Sequence, residues 1–487
     1  DAVGLYLESM GNPRKFSRIA RNLALIKPVI VVKSGFSRFG VPPGHRVRPT
    51  KARPEVFSAM LKQAGVIRVE NVHQLFDVAQ LVVHQPLPAG DRVAIVANST
   101  ALGTLTADAC ASWKLTVTHG PVSLPSEATP EEFRAALTAA FADPKVDSVL
   151  TCFIPPLVTG DEAVAAAVRD TAAAADKPIA ATFLGMRGVD DGHATVSGTG
   201  GATRAIPVYA MPEDAVRALA AATRYGQWRA KDQGTPVAPA GINRRIAEDL
   251  VHTVLSVDPK GRRLHQDEAA ALLQAYGIDV WADHDVRTVD EAVAVAEEQV
   301  GYPVVLKSTA PMMRHQGGVG GVRVDLRTEA TLRAAWDSLT DRLAPLDADR
   351  LVVQRMATPG VPCVITSDED PLFGPVIGFS VAGLPTELLG DIAYRIPPLT
   401  DVTVSELISS VKAAPVLHGH RGATPVHRAA LADLIARVSV LADDLPEVAS
   451  LVLNPVNAHP GGVEVLGAEI ALAPAPRRTD PGRRSLT

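Results

Sequence analysis

The sequence predicts an α/β protein with parallel sheets in its first half, followed by an α+β unit with antiparallel sheets. Up to about residue 230, short apolar runs rich in β-branched residues alternate with alanine-rich stretches of helical period. The Pro/Gly-rich stretch KDQGTPVAPAGINRR then interrupts the chain. Near the end, ASLVLNPVNAH and GVEVLGAEI follow one another with no helical segment between them, which is typical of paired antiparallel strands.

The strand candidates of the first half are VGLYLE, PVIVVKSG, RVAIVANS, VDSVLTCFI and KPIAATFLG. Between the first two, NPRKFSRIARNLALIK places apolar residues at three-to-four spacing, which predicts an amphipathic helix with a solvated basic face. Residues 81–90 are predicted to connect to the strand at Arg92. In the second half we expect a helix in HQDEAAALLQAYGI, ended by its glycine, and a long helix around 424–443.

Composition excludes several classes of function. The 487 residues carry a net charge of -5 and show no basic stretch interleaved with aromatics, which argues against nucleic-acid binding. The three cysteines have no CxxC spacing, so buried thiols are expected rather than a disulfide framework or a zinc site. Apolar runs fall short of the ~20 residues of a membrane span, which favours a cytoplasmic protein.

The opening DAVGLYLE lacks a Met and suggests a fragment that begins inside a domain.

A lysine followed by a glycine-rich segment is the strongest chemical signal. Lys307 ends the apolar run GYPVVLKS, and MMRHQGGVGGV follows. One mobile cation with several unobstructed backbone N–H groups suits a triphosphate, although the glycines also fit a plain hairpin turn. The glycines are Gly317, Gly318, Gly320 and Gly321. His315 either accepts a phosphoryl group as a nucleophile or is an ordinary exposed histidine.

Several segments together resemble the NDP-forming acyl-CoA synthetases, relatives of succinyl-CoA synthetase. They are GLYLESMGNPRKFSRIARNLALIKPVIVVKSG, QAGVIRV, RVAIVANS, IPPL, KPIAATFLG, IPVYAMPEDAVRALA and YPVVLKSTAPMMRHQGGVGGV. The chain is most similar to the ligase-homologous region of bacterial protein lysine acetyltransferases. The resemblance implies flavodoxin-like CoA-ligase domains followed by an ATP-grasp module, and a CoA-binding domain upstream.

The resemblance also implies the domain limits. Residues 1–80 are the C-terminal part of a succinyl-CoA synthetase-like flavodoxin domain, and 88–230 are a second flavodoxin-like domain. Residues 231–260 are a linker, 261–474 the ATP-grasp domain, and 475–487 a disordered tail.

The chemistry implied is a relay in which acyl-CoA and phosphate give an acyl phosphate, a histidine takes the phosphoryl group, and ATP-grasp residues pass it to ADP. His45 in GVPPGHRVRPTKARPEVF lies near the phosphohistidine position. However, Arg46 and Arg48 and two prolines replace the small residues of relatives. A surface histidine is therefore the alternative.

Phosphate-binding residues are implied where relatives carry Asn-Ala-Gly-Gly-Pro-Gly at a helix N-terminus. This chain has IVANSTALG there, which keeps Asn98 and Gly103, lacks the two central glycines, and offers the hydroxyls of Ser99 and Thr100. Anion binding through these two hydroxyls is therefore an alternative to binding by the backbone N–H groups of glycines.

The nucleotide-binding residues implied are Lys307 with the glycine loop, then Gln354, Arg355 and Met356 against the adenine, and Glu387 in TELLGDIAYRIPPL. Gln316 stands where relatives usually have a second lysine after the histidine.

Asn454 is the implied metal ligand that remains. Relatives have aspartates where this chain has Val452 and Gly467, and Mg²⁺ usually takes one or two carboxylates. Glu464 and Glu469 lie close in sequence, and Glu469 is a conjectural substitute because it would share a strand face with Gly467.

Two main hypotheses follow. In the first, the region is catalytically impaired, binds nucleotide or CoA ligands, and regulates a tethered GNAT-type lysine acetyltransferase. In the second, it is an active ADP-forming acyl-CoA ligase working through phosphohistidine. A scaffold without ligands is a third alternative. ATP or ADP is the expected cofactor with Mg²⁺, CoA is expected only with the upstream domain, and we expect a homo-oligomer without nucleic-acid or membrane partners.

Overall fold

The computed structural model describes residues 1–7, 13–33, 54–155, 161–184, 195–197, 203–308, 321–343, 350–371, 373–383 and 388–475. The chain divides into two compact units, one of Asp1–Pro49 with Met60–Asp232 and one of Thr50–Ala59 with Gln233–Thr487. In the described ranges, every helix is too short or too polar to cross a membrane.

Up to residue 232, short strands alternate with helices. The strands are β1 (Val3–Leu7), β2 (Val29–Lys33), β3 (Ile67–Val69), β4 (Arg92–Ala97), β5 (Thr116–Ser123), β6 (Ser148–Phe153), β7 (Ile179–Phe183), β8 (Thr195–Ser197), β9 (Thr203–Ala205) and β10 (Val208–Tyr209). The helices are α1 (Pro13–Ala24), α2 (Pro54–Gln63), α3 (Val72–His84), α4 (Thr100–Ser112), α5 (Pro130–Ala142), α6 (Asp161–Ala173) and α7 (Pro212–Ala230).

These strands form parallel sheets, as predicted. One sheet has the order β1-β2-β3 and the other β10-β7-β6-β4-β5, with every pairing parallel, while β8 and β9 form a separate antiparallel pair. The five strand candidates correspond to β1, β2, β4, β6 and β7, and the basic amphipathic segment forms α1. Strands β6 and β7 are buried along their whole length, since a parallel sheet is covered on both faces.

One local prediction in this region was wrong. Residues 81–84 belong to helix α3, so the connection predicted at 81–90 begins at Gln85. Leu81 is buried at 1% exposure, and its packing extends the helix by one turn. The side chain of Asn71 caps the start of α3 by accepting a hydrogen bond of 2.9 Å from the backbone N–H of Gln74.

The second unit combines helices with antiparallel strands. The strands are β11 (His284–Val286), β12 (Val304–Ser308), β13 (Val322–Leu326), β14 (Leu351–Arg355), β15 (Val361–Asp370), β16 (Gly374–Val381), β17 (Ala393–Arg395), β18 (Val448–His459), β19 (Gly462–Val465) and β20 (Ala468–Leu472). The helices are α8 (Arg244–Val257), α9 (Gln266–Ala275), α10 (Val289–Val295), α11 (Glu329–Leu343), α12 (Asp401–Ser409), α13 (Ala414–Leu417) and α14 (Arg428–Asp444).

Two antiparallel sheets organise this unit. The small sheet has the order β11-β14-β12-β13, and the large sheet has the order β17-β16-β15-β18-β19, with β20 on β18. The predicted α+β unit is therefore confirmed. Two details differ. The predicted closing pair consists of three strands, because the second predicted strand is interrupted at Leu466 and Gly467. The long helix covers residues 428–444, after Pro425, instead of starting at 424.

The cysteines are buried free thiols, as expected from their spacing. Burial raises the pKa of Cys110 to about 12 and that of Cys152 to about 11. Both thiols therefore stay protonated at neutral pH, which makes them packing residues rather than nucleophiles.

Candidate functional site

Lys307 and Gln354 meet on neighbouring strands of the small sheet. Strand β12 ends just beyond Lys307, and its antiparallel register with β14 pairs Val305 with Gln354. Nζ of Lys307 donates a hydrogen bond of 3.0 Å to Oε1 of Gln354. Sequence analysis predicted both as nucleotide-binding residues, and the structure brings them into direct contact.

Gln354 also joins the small sheet to the large one. Its side chain is buried at 3% exposure, and Nε2 donates 3.0 Å to the carbonyl of Leu466 and 3.4 Å to that of Trp281. Leu466 lies between β19 and β20, immediately before Gly467. Lys307 therefore lies next to the contact between the two sheets, which Gln354 and Leu466 form.

Asp283 is a third member of this cluster that sequence analysis missed. Its Oδ1 lies 2.8 Å from Nζ of Lys307, and both side chains are mostly buried, at 17% and 20% exposure. Asp283 precedes the short strand β11 and belongs to no motif. The contact depends on strand order, because β14 brings β11 and β12 to its two sides.

Arg355 and Met356 lie beside the start of β12, and Gly321 lies at its other end. The guanidinium of Arg355 lies 5.6 Å from the centre of the Trp281 ring, within cation–π range. The backbone N–H of Met356 donates 3.2 Å to the carbonyl of Pro303, and the carbonyl of Gly321 accepts 2.9 Å from the N–H of Ser308. Arg355 and Met356 therefore follow Gln354 at one end of the strand pair, whereas Gly321 lies at the end of β12 that carries Lys307.

Six other predicted site residues lie outside the described residues: His45, His315, Gly317, Gly318, Gly320 and Glu387. Their roles stay predictions.

The predicted metal position supplies an amide without carboxylates. Asn454 is exposed, and its backbone N–H donates 3.0 Å to the carbonyl of Gly467. A Cβ atom added at Gly467 would lie 2.7 Å from the carbonyl oxygen of Asn454, so the backbone is shaped around a glycine. With valine at 452, these three positions do not fit the oxygen-rich set that Mg²⁺ takes.

The two neighbouring glutamates have other partners. Glu464 accepts hydrogen bonds from the backbone N–H and hydroxyl of Thr358 at 3.1 and 2.8 Å and from the Asn457 amide at 2.9 Å. Glu469 forms an ion pair of 2.7 Å with Arg263. The conjecture that Glu469 replaces the absent aspartate therefore gains no support, because a cation across the strand already holds the carboxylate.

The predicted phosphate-binding residues lie at the carboxyl end of β4, where ligands of parallel sheets usually bind. Asn98 is buried, and its amide donates 2.8 Å to the carbonyl of Ile154 and 3.2 Å to that of Ser126. Its Oδ1 accepts 2.8 Å from the N–H of Ile154. Asn98 thus fastens β4 to the end of β6.

The hydroxyls that follow Asn98 also have protein partners. Ser99 caps α4, accepting 3.4 Å from the N–H of Leu102. The Thr100 hydroxyl accepts 3.1 Å from Ser123. A Cβ at Gly103 would approach the Cβ of Pro121 to 3.2 Å. The four predicted residues are therefore neighbours at one helix N-terminus, and anion binding by them stays a prediction.

The fold and the site define a protein with a flavodoxin-like CoA-ligase domain and a C-terminal ATP-grasp domain. A family model for the succinyl-CoA ligase-like flavodoxin domain matches residues 1–82, and one for the ATP-grasp domain matches residues 257–472.

Whole-chain relatives identify the family. The acetate-CoA ligase (ADP-forming) I of Archaeoglobus fulgidus is 32% identical over 97% of this chain and 70% of its own length. The 4-hydroxybutyrate-CoA ligase (ADP-forming) of Nitrosopumilus maritimus is 28% identical over 94% of this chain and 68% of its own length. The chain belongs to the ADP-forming acetate-CoA ligase family.

A solved structure aligns with part of the chain. It is the Ca. Korarchaeum cryptofilum dinucleotide forming acetyl-coenzyme A synthetase 1 in complex with coenzyme A, Ca-AMPCP and HgCl+. It is 33% identical, with a TM-score of 0.41 over 46% of this chain and 99% of the solved one.

Proposed function

We propose that this chain is the flavodoxin-like and ATP-grasp part of an active ADP-forming acyl-CoA ligase, and that Lys307 binds the phosphates of the adenine nucleotide. The observation that carries the proposal is the position of Lys307. Its ammonium donates a hydrogen bond to Gln354 near the end of β12, just before the glycine-rich segment in the sequence, and Gln354 links the two sheets. The 32% sequence identity to an ADP-forming acetate-CoA ligase, over 97% of this chain, supports the same reading.

The proposed reaction interconverts acyl-CoA, ADP and phosphate with the carboxylic acid, CoA and ATP. Phosphate attacks the thioester carbonyl, the CoA thiolate leaves, and an acyl phosphate forms. A histidine nitrogen then attacks the phosphorus and releases the carboxylate, and the β-phosphate of ADP takes the phosphoryl group from the histidine. His45 and His315 are the candidate carriers.

Nucleotide binding without turnover is a second candidate, favoured by the metal position. Val452 and Gly467 provide no carboxylate there, and Glu464 and Glu469 are engaged elsewhere. Without those charges the barrier to phosphoryl transfer would rise, while Lys307 would still attract nucleotide. Regulation of a tethered acetyltransferase and homo-oligomerisation are further predictions of the sequence alone.

The test is ATP formation from acetyl-CoA, ADP and phosphate by the full-length protein. A luciferase assay measures the ATP that is formed. We expect activity in the wild type and a loss of about 10- to 100-fold in Lys307→Met, the size expected for a charge-assisted phosphate contact. Lys260→Met, at an exposed lysine after α8, is the matched control and should behave as the wild type.

Calorimetry with ADP and labelling with γ-³²P-ATP separate the two candidates. Acid-labile phosphohistidine that disappears in His45→Ala or His315→Ala supports the active ligase. ADP binding without label or ATP formation supports the second candidate. A protein that neither binds ADP nor forms ATP would contradict both.

A further inference from the structure

The Asp283–Lys307 pair differs from an ordinary structural salt bridge because the lysine is the residue expected to meet phosphate. Asp283 immediately precedes β11, Lys307 lies on β12, and β14 runs between these strands. The two charges are 2.8 Å apart and mostly shielded from water. The cation at the predicted phosphate position is therefore already neutralised before any nucleotide arrives.

The lysine has two unequal partners. It donates a hydrogen bond of 3.0 Å to the Gln354 amide oxygen, which fixes its position. Oδ1 of Asp283 is fully buried and has no hydrogen bond of good geometry within the described part of the chain, although the ammonium lies 2.8 Å away. Gln354 thus supplies the directional contact, whereas Asp283 supplies mainly charge.

An ammonium group has three donors, so Lys307 can keep Gln354 while it exchanges its other partner. A phosphate oxygen approaching Nζ would come close to the Asp283 carboxylate, and two anions in a shielded site repel each other. We propose that Asp283 is the counter-charge of the empty nucleotide site, and that Lys307 exchanges it for a nucleotide phosphate. Asp283 then lowers nucleotide affinity while keeping the unliganded lysine compensated.

This inference rests on the proposed nucleotide site at Lys307. Its first test is calorimetric titration of the full-length wild type, Asp283→Asn, Asp285→Asn and Lys307→Met with ADP and with inorganic pyrophosphate, each with and without Mg²⁺. Asp285 is the matched control, an exposed acid two residues along on β11. We expect Asp283→Asn to bind about tenfold more tightly and Asp285→Asn to bind as the wild type does.

Equal or weaker ADP binding by Asp283→Asn, with a wild type that does bind, would overturn the inference and leave the proposed function standing. A loss of affinity confined to the Mg²⁺ titrations would also overturn it, since Asp283 would then be a ligand of the cation. If the wild type and Lys307→Met both fail to bind ADP, the proposed function fails and the exchange step fails with it.

A second measurement tests the pair without nucleotide. Asp283 holds the Lys307 side chain in a mostly buried position, where an acylating reagent has little access to Nζ. Trace labelling with acetic anhydride, quantified by mass spectrometry relative to Lys260, should therefore rise about three- to tenfold at Lys307 in Asp283→Asn. Unchanged labelling would show that no such pair exists in solution and would overturn the inference even if Asp283→Asn folds poorly.

Discussion

The carbonyl oxygen of Asn454 lies where a side chain at position 467 would have to begin, since a Cβ there would be 2.7 Å away. Adding even a methyl group should therefore push the β18 backbone aside. We expect Gly467→Ala to lower the free energy of unfolding by about 1–3 kcal/mol, measured by urea denaturation. An aspartate at this position should meet the same obstacle before it contributes a metal ligand.

Gly461→Ala is the control for this prediction. It lies in the turn between β18 and β19, where an added Cβ would approach only the His459 ring, at 3.2 Å. A change within about 0.5 kcal/mol is expected there. Equal losses at the two positions would show that the close approach at Asn454 is not the cause.

Gln354→Leu should reduce both stability and nucleotide binding. Leucine nearly fills the volume but leaves the Leu466 and Trp281 carbonyls and the Lys307 ammonium without their amide partner. Burying unpaired groups of this kind costs about 2–4 kcal/mol, to be read from urea denaturation. Gln274→Leu, at an exposed position on α9, should change stability little. A stable Gln354→Leu protein with normal ADP affinity would refute the structural role given to this amide.

Residue patterns predicted the parallel sheet because its strands are buried on both faces and therefore form continuous apolar runs. Strand β5, TVTHGPVS, was missed because it is an edge strand. Its side chains are exposed or only partly buried, so they form no apolar run, and the strand contains a Gly-Pro pair. The split of the last segment into β19 and β20 was missed for a similar reason. It depends on the close approach of Gly467 to Asn454, which no local pattern encodes.

The candidate site was predictable only in part. Lys307 was predicted because it precedes a glycine-rich segment, and Gln354 because it lies in a motif of the family that the chain resembles. Asp283 and Trp281 were not, because their contacts depend on β14, which comes later in the chain and pairs between β11 and β12. Sequence spacing gives little information about which side chains meet across a sheet of that order.

Asn98 and Ser99 should differ in what their removal costs. Asn98→Ala removes three hydrogen bonds that fasten β4 to other backbone segments, and we expect a loss of about 2–4 kcal/mol. Ser99→Ala removes a helix cap and should cost about 0.5–2 kcal/mol. Urea denaturation measures both. A stable Asn98→Ala protein that has lost phosphate-dependent activity would instead assign Asn98 a direct role in phosphate binding.

Glu268 should make the second unit sensitive to acid. Arg262 donates two hydrogen bonds of 2.7 Å to this carboxylate, and the backbone N–H of His265 donates another of 2.8 Å. The Arg262 bonds, with the contact from His265, lower the pKa of Glu268 to about 2. A carboxyl group whose pKa falls on folding stabilises the folded state above its unfolded pKa of about 4.3, and this stabilisation disappears as pH falls towards 2.

Glu268→Gln should therefore be less stable than the wild type at pH 7, with the difference shrinking between about pH 4.5 and 2 and vanishing below. Thermal denaturation followed by circular dichroism across that range measures the difference. Asp267→Asn is the control, because it removes a charge from the same helix turn and leaves the Arg262 pair intact. A stability difference that stays constant from pH 7 to 2 would mean that the glutamine acts through packing or capping, and that the charge of Glu268 does not contribute.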